Sequence, residues 1–276
     1  MSGASELPAL VVHEERLREP VIGAPIDVLS WDQACERIGH WAAHRESRYV
    51  CICNVHSVVT ARQEPGFHQV IAQADLATAD GAPVAWMLRR LGHADQRRIN
   101  GPDLMLRYFA LAEQRQEPVF LYGNTPETLE RLRQRLAQRL PGLRIAGMHS
   151  PPFRPLTPEE DQAVVDLINA SGAPTVWVSL GCPKQERWMA EHRHRIRAVM
   201  VGVGAAFDYH AGVLERAPAW MQNAGLEWLH RLAADPRRLG SRYLSTNTRF
   251  IALAAQQLLG RRRVTRDDRT PGTPPA

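Results

Sequence analysis

The feature that most constrains the fold is a regular alternation of apolar runs with helix-like segments in the second half of the chain. Four runs rich in β-branched and aromatic residues recur there, "PVFLYG", "LRIAG", "PTVWVSLG" and "AVMVGVG". Amphipathic segments with short connections separate them, and this pattern is typical of a parallel sheet covered by helices on both faces. We therefore predict an α/β fold.

The first half of the chain extends the same pattern. "YVCICNV" and "DLATAD" read as two further buried strands, and "APIDVLS" as a short one. Ser30 precedes a helical spacing of apolar residues that runs to His44, as an N-cap residue does. We expect further helices at about 82–92 and 102–116.

The composition along the chain predicts four segments. Residues 1–20 lack periodicity and are expected to form a flexible tail, residues 21–225 the α/β core, and residues 264–276 a disordered tail. Between core and tail, residues 226–263 read as two helices separated near Asp235 and Pro236. Since "FIALAAQQLLG" is far shorter than the ~20 residues of a membrane span, no crossing is expected.

The positive charge is concentrated in that helical segment. The whole chain carries +5, whereas residues 226–263 hold eight arginines against two acidic residues. The segment is expected either to lie on an anionic membrane or to pack on its own domain, because its second helix has two distinct stripes. One, largely apolar, contains Tyr243, Asn247, Phe250, Ile251, Ala254 and Leu258, and the other contains Arg242, Arg249 and Gln256. The arginines that we expect to meet the membrane or an anionic acceptor are Arg231, Arg237, Arg238, Arg242 and Arg249.

The cysteines and the N-terminus favour a cytoplasmic protein. Four cysteines form neither an even framework nor a CxxC pair, so we expect reduced thiols. The first 20 residues mix acids and bases and lack the apolar core of a signal peptide.

Asp80 is the first candidate for chemistry. It ends the strand "LATAD" and is followed by Gly-Ala-Pro and a helix-like segment. Open parallel sheets bind ligands at the carboxyl ends of their strands. Asp80 is thus either a catalytic base or a helix cap.

Three other strand ends carry glycine, in "LYGNTPE", "SLGCPKQERW" and "VGVGAAFDYHAG". Each places backbone N–H groups near a helix start, where a pyrophosphate can bind, although each alone is more often a tight turn. Together they favour a nucleotide or nucleotide-sugar ligand. The residues predicted to bind it are Gly123, Asn124, Gly204 and Asp208.

Two basic residues are further candidates. Lys184, the chain's single lysine, begins the sequence Lys-Gln-Glu, which either reaches ligand oxygens or forms a solvated first helical turn. Arg98, in "RRINGPDL", is either a surface residue or a partner for a diphosphate leaving group.

Several motifs of other enzyme classes are missing from the chain. It contains no DxD and no GxSxG, and His192 and His194 are two residues apart on a helix, which makes them a poor metal pair. We predict no metal and no cofactor. Phe207 occupies a position where a dinucleotide fingerprint needs Gly or Ala, which argues against a nicotinamide-dependent dehydrogenase.

At this point the residues resemble a family. "CNVHSVV", "ATADGAPVAWMLRRLG", "RRINGPDL", "LGCPKQERWM", "GVGAAFDYHAGVLERAPAWMQNAGLEWLHRL" and "DPRRLGSRYL" occur in the order found in the WecG/TagA/CpsF family of bacterial glycosyltransferases, over residues 22–259. The resemblance implies a Rossmann-like core with a C-terminal membrane-directed appendage. It also implies inverting, metal-independent transfer from a UDP-sugar to a polyprenyl-diphosphate-linked sugar in surface polysaccharide synthesis, at the cytoplasmic face of the membrane.

The resemblance assigns roles to four residues. Asp80 matches the family's proposed base, and the substrate-binding positions match Asn54, Arg98 and Gln185. Some members carry Thr where this chain has Ile52, so one hydroxyl contact to the donor or acceptor is missing.

Other readings stay open at the level of sequence. The chain could instead be a nucleotide-binding regulator whose basic helices bind nucleic acid. If it is the enzyme, we expect no nucleic-acid partner. The identity of the donor sugar and the formation of a homo-oligomer also stay open.

Overall fold

A computed structural model describes residues 16–267, except for the side chains of residues 223, 238, 239, 241, 242 and 261–267. The strands are β1 (Arg18–Val21), β2 (Ala24–Asp27), β3 (Arg48–Cys53), β4 (Leu76–Ala79), β5 (Val119–Gly123), β6 (Ile145–His149), β7 (Thr175–Ser179) and β8 (Val199–Gly202). The helices are α1 (Trp31–Ala43), α2 (Val55–Gln63), α3 (Pro65–Gln73), α4 (Ala82–Arg90), α5 (Gly101–Gln114), α6 (Pro126–Arg139), α7 (Pro158–Ala170), α8 (Lys184–His192), α9 (Ala206–His210), α10 (Ala219–Asn223), α11 (Glu227–Ala234) and α12 (Pro236–Asp267).

Six strands form one sheet in the order β4-β3-β8-β7-β5-β6, and every neighbouring pair is parallel. Helices join consecutive strands, so the predicted α/β architecture is confirmed. The short strand β2 was also predicted, but it pairs with β1 in a separate antiparallel hairpin. β1 begins at Arg18, inside the segment predicted as a tail, and residues 1–15 lie outside the described part of the chain.

Two apolar cores lie on the two faces of the sheet. Along β3, Tyr49, Cys51 and Cys53 pack on one face with residues of α2, α3, α4, α7 and α8. Val50 and Ile52 pack on the other face with residues of α1, α5, α6 and α9. Strands buried on both faces are continuously apolar, and for this reason the sheet could be predicted from the sequence.

The C-terminal segment forms two helices, α11 and α12, that separate at Asp235 as the sequence predicts. α12 packs on the core, where Phe250 and Ala254 are buried among residues of the first face. The Gln257 side chain accepts a hydrogen bond from Ile22 N (2.8 Å) and donates one to Pro20 O (2.6 Å). The appendage is therefore anchored on the β1-β2 hairpin.

The predicted stripes of α12 are only partly preserved. Ile251, expected on the apolar stripe with Phe250, is 67% exposed, and Leu244, which lies outside both predicted stripes, is 71% exposed. Arg237 and Arg249 are exposed, whereas the side chains of Arg238 and Arg242 lie outside the description. The tail predicted over 264–276 overlaps α12 as far as Asp267, and residues 268–276 are not described.

Among the described residues, no helix combines the length and the apolar character that crossing a bilayer requires. All four cysteines are free thiols, and Cys35, Cys51 and Cys53 are buried.

Candidate active site

The sheet order brings the candidate residues to one edge. Asp80 follows β4, Asn54 follows the adjacent β3, and Gly204 lies two residues beyond the neighbouring β8. Gly123 ends β5, which is separated from β8 by β7. Parallel strands all present their carboxyl ends at the same edge, and ligands of open α/β sheets bind there.

Asp80 is held at this edge by its own backbone. Its N–H donates to Cys53 O on the neighbouring strand (2.9 Å), and Gly81 turns the chain with a positive φ of 81°. Gly81, rather than Asp80, is the N-cap residue of α4, and no side chain caps that helix. The reading of Asp80 as a helix cap is therefore wrong.

The surroundings of Asp80 favour its protonated form. Burial raises the pKa of this carboxyl to about 6, and the negative charge of Glu227 acts in the same direction. Arg98, Arg231 and a hydrogen bond from the Gly81 backbone oppose the rise without cancelling it. A carboxylate with a pKa near 6 is a stronger base than an exposed one and is still mostly ionised at pH 7.

Arg98 forms an ion pair across to the C-terminal segment. Its Nη1 lies 2.7 Å from Glu227 Oε2 of α11. Arg216 contacts the other oxygen of Glu227 at 3.4 Å and pairs with Asp103, and this pairing helps to lower the pKa of Asp103 against its burial. These four charged residues tie α5 and α11 together beside Asp80.

Tyr209 and Arg231 complete the surroundings of Asp80. The Arg231 guanidinium lies 5.9 Å from the centre of the Tyr209 ring. Burial raises the pKa of Tyr209, and Arg231 partly offsets that rise. α11 therefore contributes both a carboxylate and a guanidinium to the site.

Asn54 caps α2 at the next strand end. Its Oδ1 accepts a hydrogen bond from Ser57 N (3.2 Å), and the Ser57 hydroxyl oxygen accepts one from Asn54 N (3.3 Å). This capping box fixes the asparagine beside Asp80. Ile52, two residues earlier, is buried in the core of the second face.

The glycine-bearing strand ends form a second group of site residues. Asn124 Nδ2 donates to Asp208 Oδ1 (3.0 Å) and lies 3.4 Å from Ser179 Oγ. Ser179 Oγ in turn donates to Gly204 O (2.7 Å). Gly123 is required here because a Cβ would lie 2.4 Å from the Ser179 carbonyl oxygen, and its φ is positive.

Gln185 is buried beneath this edge. Its Oε1 accepts a hydrogen bond from Gly204 N (3.1 Å), so the side chain shapes the turn that follows β8. The other predicted residue of this helix start, Lys184, is exposed at the first position of α8. The structure thus brings Asp80, Asn54 and Arg98 to one end of the edge, and Gly123, Asn124, Gly204 and Asp208 to the other.

Side chains placed to hold a metal ion occur elsewhere. Across the part of the chain that the structure describes, the only such cluster is His40, His44 and Glu46, near the start of β3 and so at the amino end of the sheet. Metal-independent chemistry at Asp80 stays a prediction.

Four residues of the site were missed in the sequence. Glu227, Arg216, Tyr209 and Ser179 reach it through tertiary contacts between segments up to 129 residues apart. The Gly-Leu-Glu-Trp and Arg-Ala-Pro stretches carried the resemblance but gave no indication of which side chains turn inward.

An open parallel sheet with a perturbed carboxylate and glycine-bearing turns at its carboxyl edge is typical of an α/β enzyme. A model of the glycosyl transferase WecG/TagA/CpsF family matches residues 19–264 of the chain. The chain therefore belongs to this family and is a glycosyltransferase of surface polysaccharide synthesis.

Proposed function

We propose that the protein transfers a sugar from a UDP-sugar to a polyprenyl-diphosphate-linked sugar, with inversion at the anomeric carbon. The observation that carries this proposal is Asp80, whose carboxyl has a pKa raised to about 6 at the carboxyl edge of the sheet. Inverting transfer needs a single base on the side of the acceptor, and one carboxylate suffices for that chemistry.

Asp80 acts as the general base of the reaction. Its carboxylate takes the proton of the acceptor hydroxyl while that oxygen attacks the anomeric carbon from the side opposite the leaving UDP. General-base assistance of this kind contributes about 10²–10⁴-fold to a rate. Asn54, fixed beside Asp80 by its capping box, binds and orients a sugar hydroxyl.

The departing UDP is stabilised by guanidinium and backbone groups. Arg98 leaves its ion pair with Glu227 and binds the diphosphate, because the guanidinium can donate two parallel hydrogen bonds to phosphate oxygens. The helix starts that follow Gly123 and Gly204 provide backbone N–H groups other than that of Gly204, which is bonded to Gln185 Oε1, and Asn124 and Asp208 bind the nucleoside. Donors that are fixed in position where charge develops stabilise a transition state without reorganising.

The lipid-linked acceptor brings the enzyme to the inner face of the bacterial cytoplasmic membrane. Leu244 and Ile251 are largely exposed on α12, and the exposed Arg249 lies on the same helix. Each arginine near anionic lipid contributes about 1 kcal/mol. Because α11 also holds Glu227 beside Asp80, membrane attachment and active-site closure are coupled in this proposal.

A UDP-release screen tests the proposed function. The purified chain is incubated with several UDP-sugars and a short-chain polyprenyl-diphosphate monosaccharide or disaccharide, and UDP release is measured with and without acceptor. We expect acceptor-dependent release of UDP from one UDP-sugar. The corresponding GDP- and ADP-sugars should release no GDP or ADP. Release that no acceptor stimulates, together with tighter binding to duplex DNA than to anionic vesicles, would instead support a nucleic-acid-binding regulator.

A further inference from the structure

The chemistry proposed above makes no use of Glu186, which is the least expected buried group near the site. Its position in the first turn of α8 is compatible with a solvated side chain, but the residue is only 1% exposed. Glu186 Oε2 has no hydrogen-bond partner among the described residues. A glutamate with a buried, unpaired oxygen is costly, so it requires a reason beyond packing.

The other carboxylate oxygen of Glu186 contacts Gln185. Gln185 Nε2 donates to Glu186 Oε1 at 3.0 Å, and both side chains are buried. An amide group can present either its oxygen or its nitrogen to a neighbour. Because the ionised carboxylate can only accept, Glu186 in that form selects the orientation in which the Gln185 oxygen faces the opposite way.

That oxygen meets the backbone of the turn after β8. Gln185 Oε1 accepts from Gly204 N, and Gly204 has a left-handed φ of 53°. The Gln185 amide is also confined by Gly202, where an added Cβ would lie 3.0 Å from Nε2. The Gly204 N–H thus donates to Gln185 Oε1 and, at the longer distance of 3.4 Å, to Val178 O, and the Gly204 carbonyl oxygen accepts from Ser179.

A polar chain extends from Glu186 to the other end of the site. Burial raises the pKa of the Glu186 carboxyl to about 7, although hydrogen bonds from its own backbone, from Gln185 and from Cys182 act to lower it. The Cys182 sulfur is 3.5 Å from Ser57 Oγ, and Ser57 forms the capping box with Asn54. The groups around Glu186 therefore connect the Gly204 turn with Asn54, both of which are proposed to contact the substrates.

We propose that Glu186 is a positioning residue, which orients the Gln185 amide and thereby fixes the Gly204 turn that receives the donor diphosphate. The receiving role of the turn rests on the proposed function, whereas the orientation of Gln185 does not.

The test compares two replacements of nearly equal length. Glu186→Met removes every acceptor, whereas Glu186→Gln keeps an amide oxygen that can accept from Gln185. Glu186 forms no ion pair within the residues that the structure describes, so its replacement by methionine leaves no opposite charge buried alone, and the variant is expected to fold. Glu191→Met, which removes an exposed carboxylate from the same helix, is the matched control.

The first measurement needs no substrate. Hydrogen exchange of the Gly204 amide, followed by NMR, is expected to accelerate about tenfold or more in Glu186→Met as the hydrogen bond to Gln185 is lost. It is expected to stay near the wild-type rate in Glu186→Gln and Glu191→Met. Unchanged Gly204 exchange in Glu186→Met would overturn the proposal. Should that variant not fold, the wild-type Gln185 Nε2 protons decide, because the proposal requires one of them to be protected.

The second measurement uses sugar transfer. In Glu186→Met we expect KM for the donor to rise about tenfold with kcat changed less than threefold, and Glu186→Gln to restore most of the loss. Glu186→Met added to Gln185→Met should cost nothing further, because Glu186 acts through Gln185. Fully multiplicative effects would overturn the positioning role. An inactive wild type would instead refute the proposed function and leave the exchange test valid.

Discussion

Replacing Asp80 by asparagine should stabilise the folded protein, because the site raises the pKa of this carboxyl. The folded-state pKa is about 6 and the ordinary value is 3.8, so folding favours the protonated form. At about 1.4 kcal/mol per pKa unit, ionised Asp80 costs the fold up to about 3 kcal/mol above pH 6. Asparagine is neutral at every pH and avoids this cost.

The sign of the effect fixes its pH window. The folded state binds more protons than the unfolded state between the two pKa values, so wild-type stability falls as the pH rises through this interval. The gain of Asp80→Asn should therefore be largest near pH 8 and fall to about a third of that value at pH 4.5. Thermal unfolding should show it as roughly 2–4 °C per kcal/mol.

Urea unfolding of both proteins at pH 8, 6 and 4.5 measures the difference directly. Asp95→Asn, at an exposed loop position, controls for the loss of one negative charge. A destabilised Asp80→Asn protein at pH 8, or a gain that does not shrink toward acid, would refute the electrostatic description of the site.

Three further predictions concern activity and membrane binding. The kcat/KM of wild type should rise about tenfold per pH unit below pH 6 and level off above it, since only ionised Asp80 accepts a proton; a pH profile that is flat from 5 to 7 would contradict this. Glu227→Gln should shift the rising part of this kcat/KM profile to lower pH, because the negative charge of Glu227 helps to raise the pKa of Asp80. An unshifted profile would exclude this coupling. Leu244→Ser combined with Ile251→Ser should reduce cosedimentation with anionic vesicles about tenfold at unchanged thermal stability, since both side chains are exposed. Phe153→Ser, at an exposed loop residue, is the matched control, and an equal loss in it would show that the effect is not specific to α12.

The sheet and most of its helices could be predicted because local patterns determine them. Continuously apolar runs mark strands buried on both faces, and Ser30 marks a helix start with a side-chain cap that the structure contains. β1 was missed because "REPV" is short and charged, and its pairing with β2 is visible only in three dimensions.

The site was predictable only in part, for the same physical reason. Residues at strand ends, such as Asp80 and Asn54, are placed by the sheet order once the strands are known. Glu227 approaches Arg98 through the packing of α11, which no local pattern encodes. Glu186 lies in a helix start for which the sequence leaves both ligand contact and solvation open, and the structure buries its side chain.

The turnover of Asp80→Asn tests the central claim most directly. With the donor and acceptor that give wild-type UDP release, we expect kcat to fall about 10²–10⁴-fold while the Kd for UDP changes less than threefold, since the base is lost and the nucleotide contacts remain. A variant that binds UDP normally and still turns over at the wild-type rate would show that Asp80 is not the base.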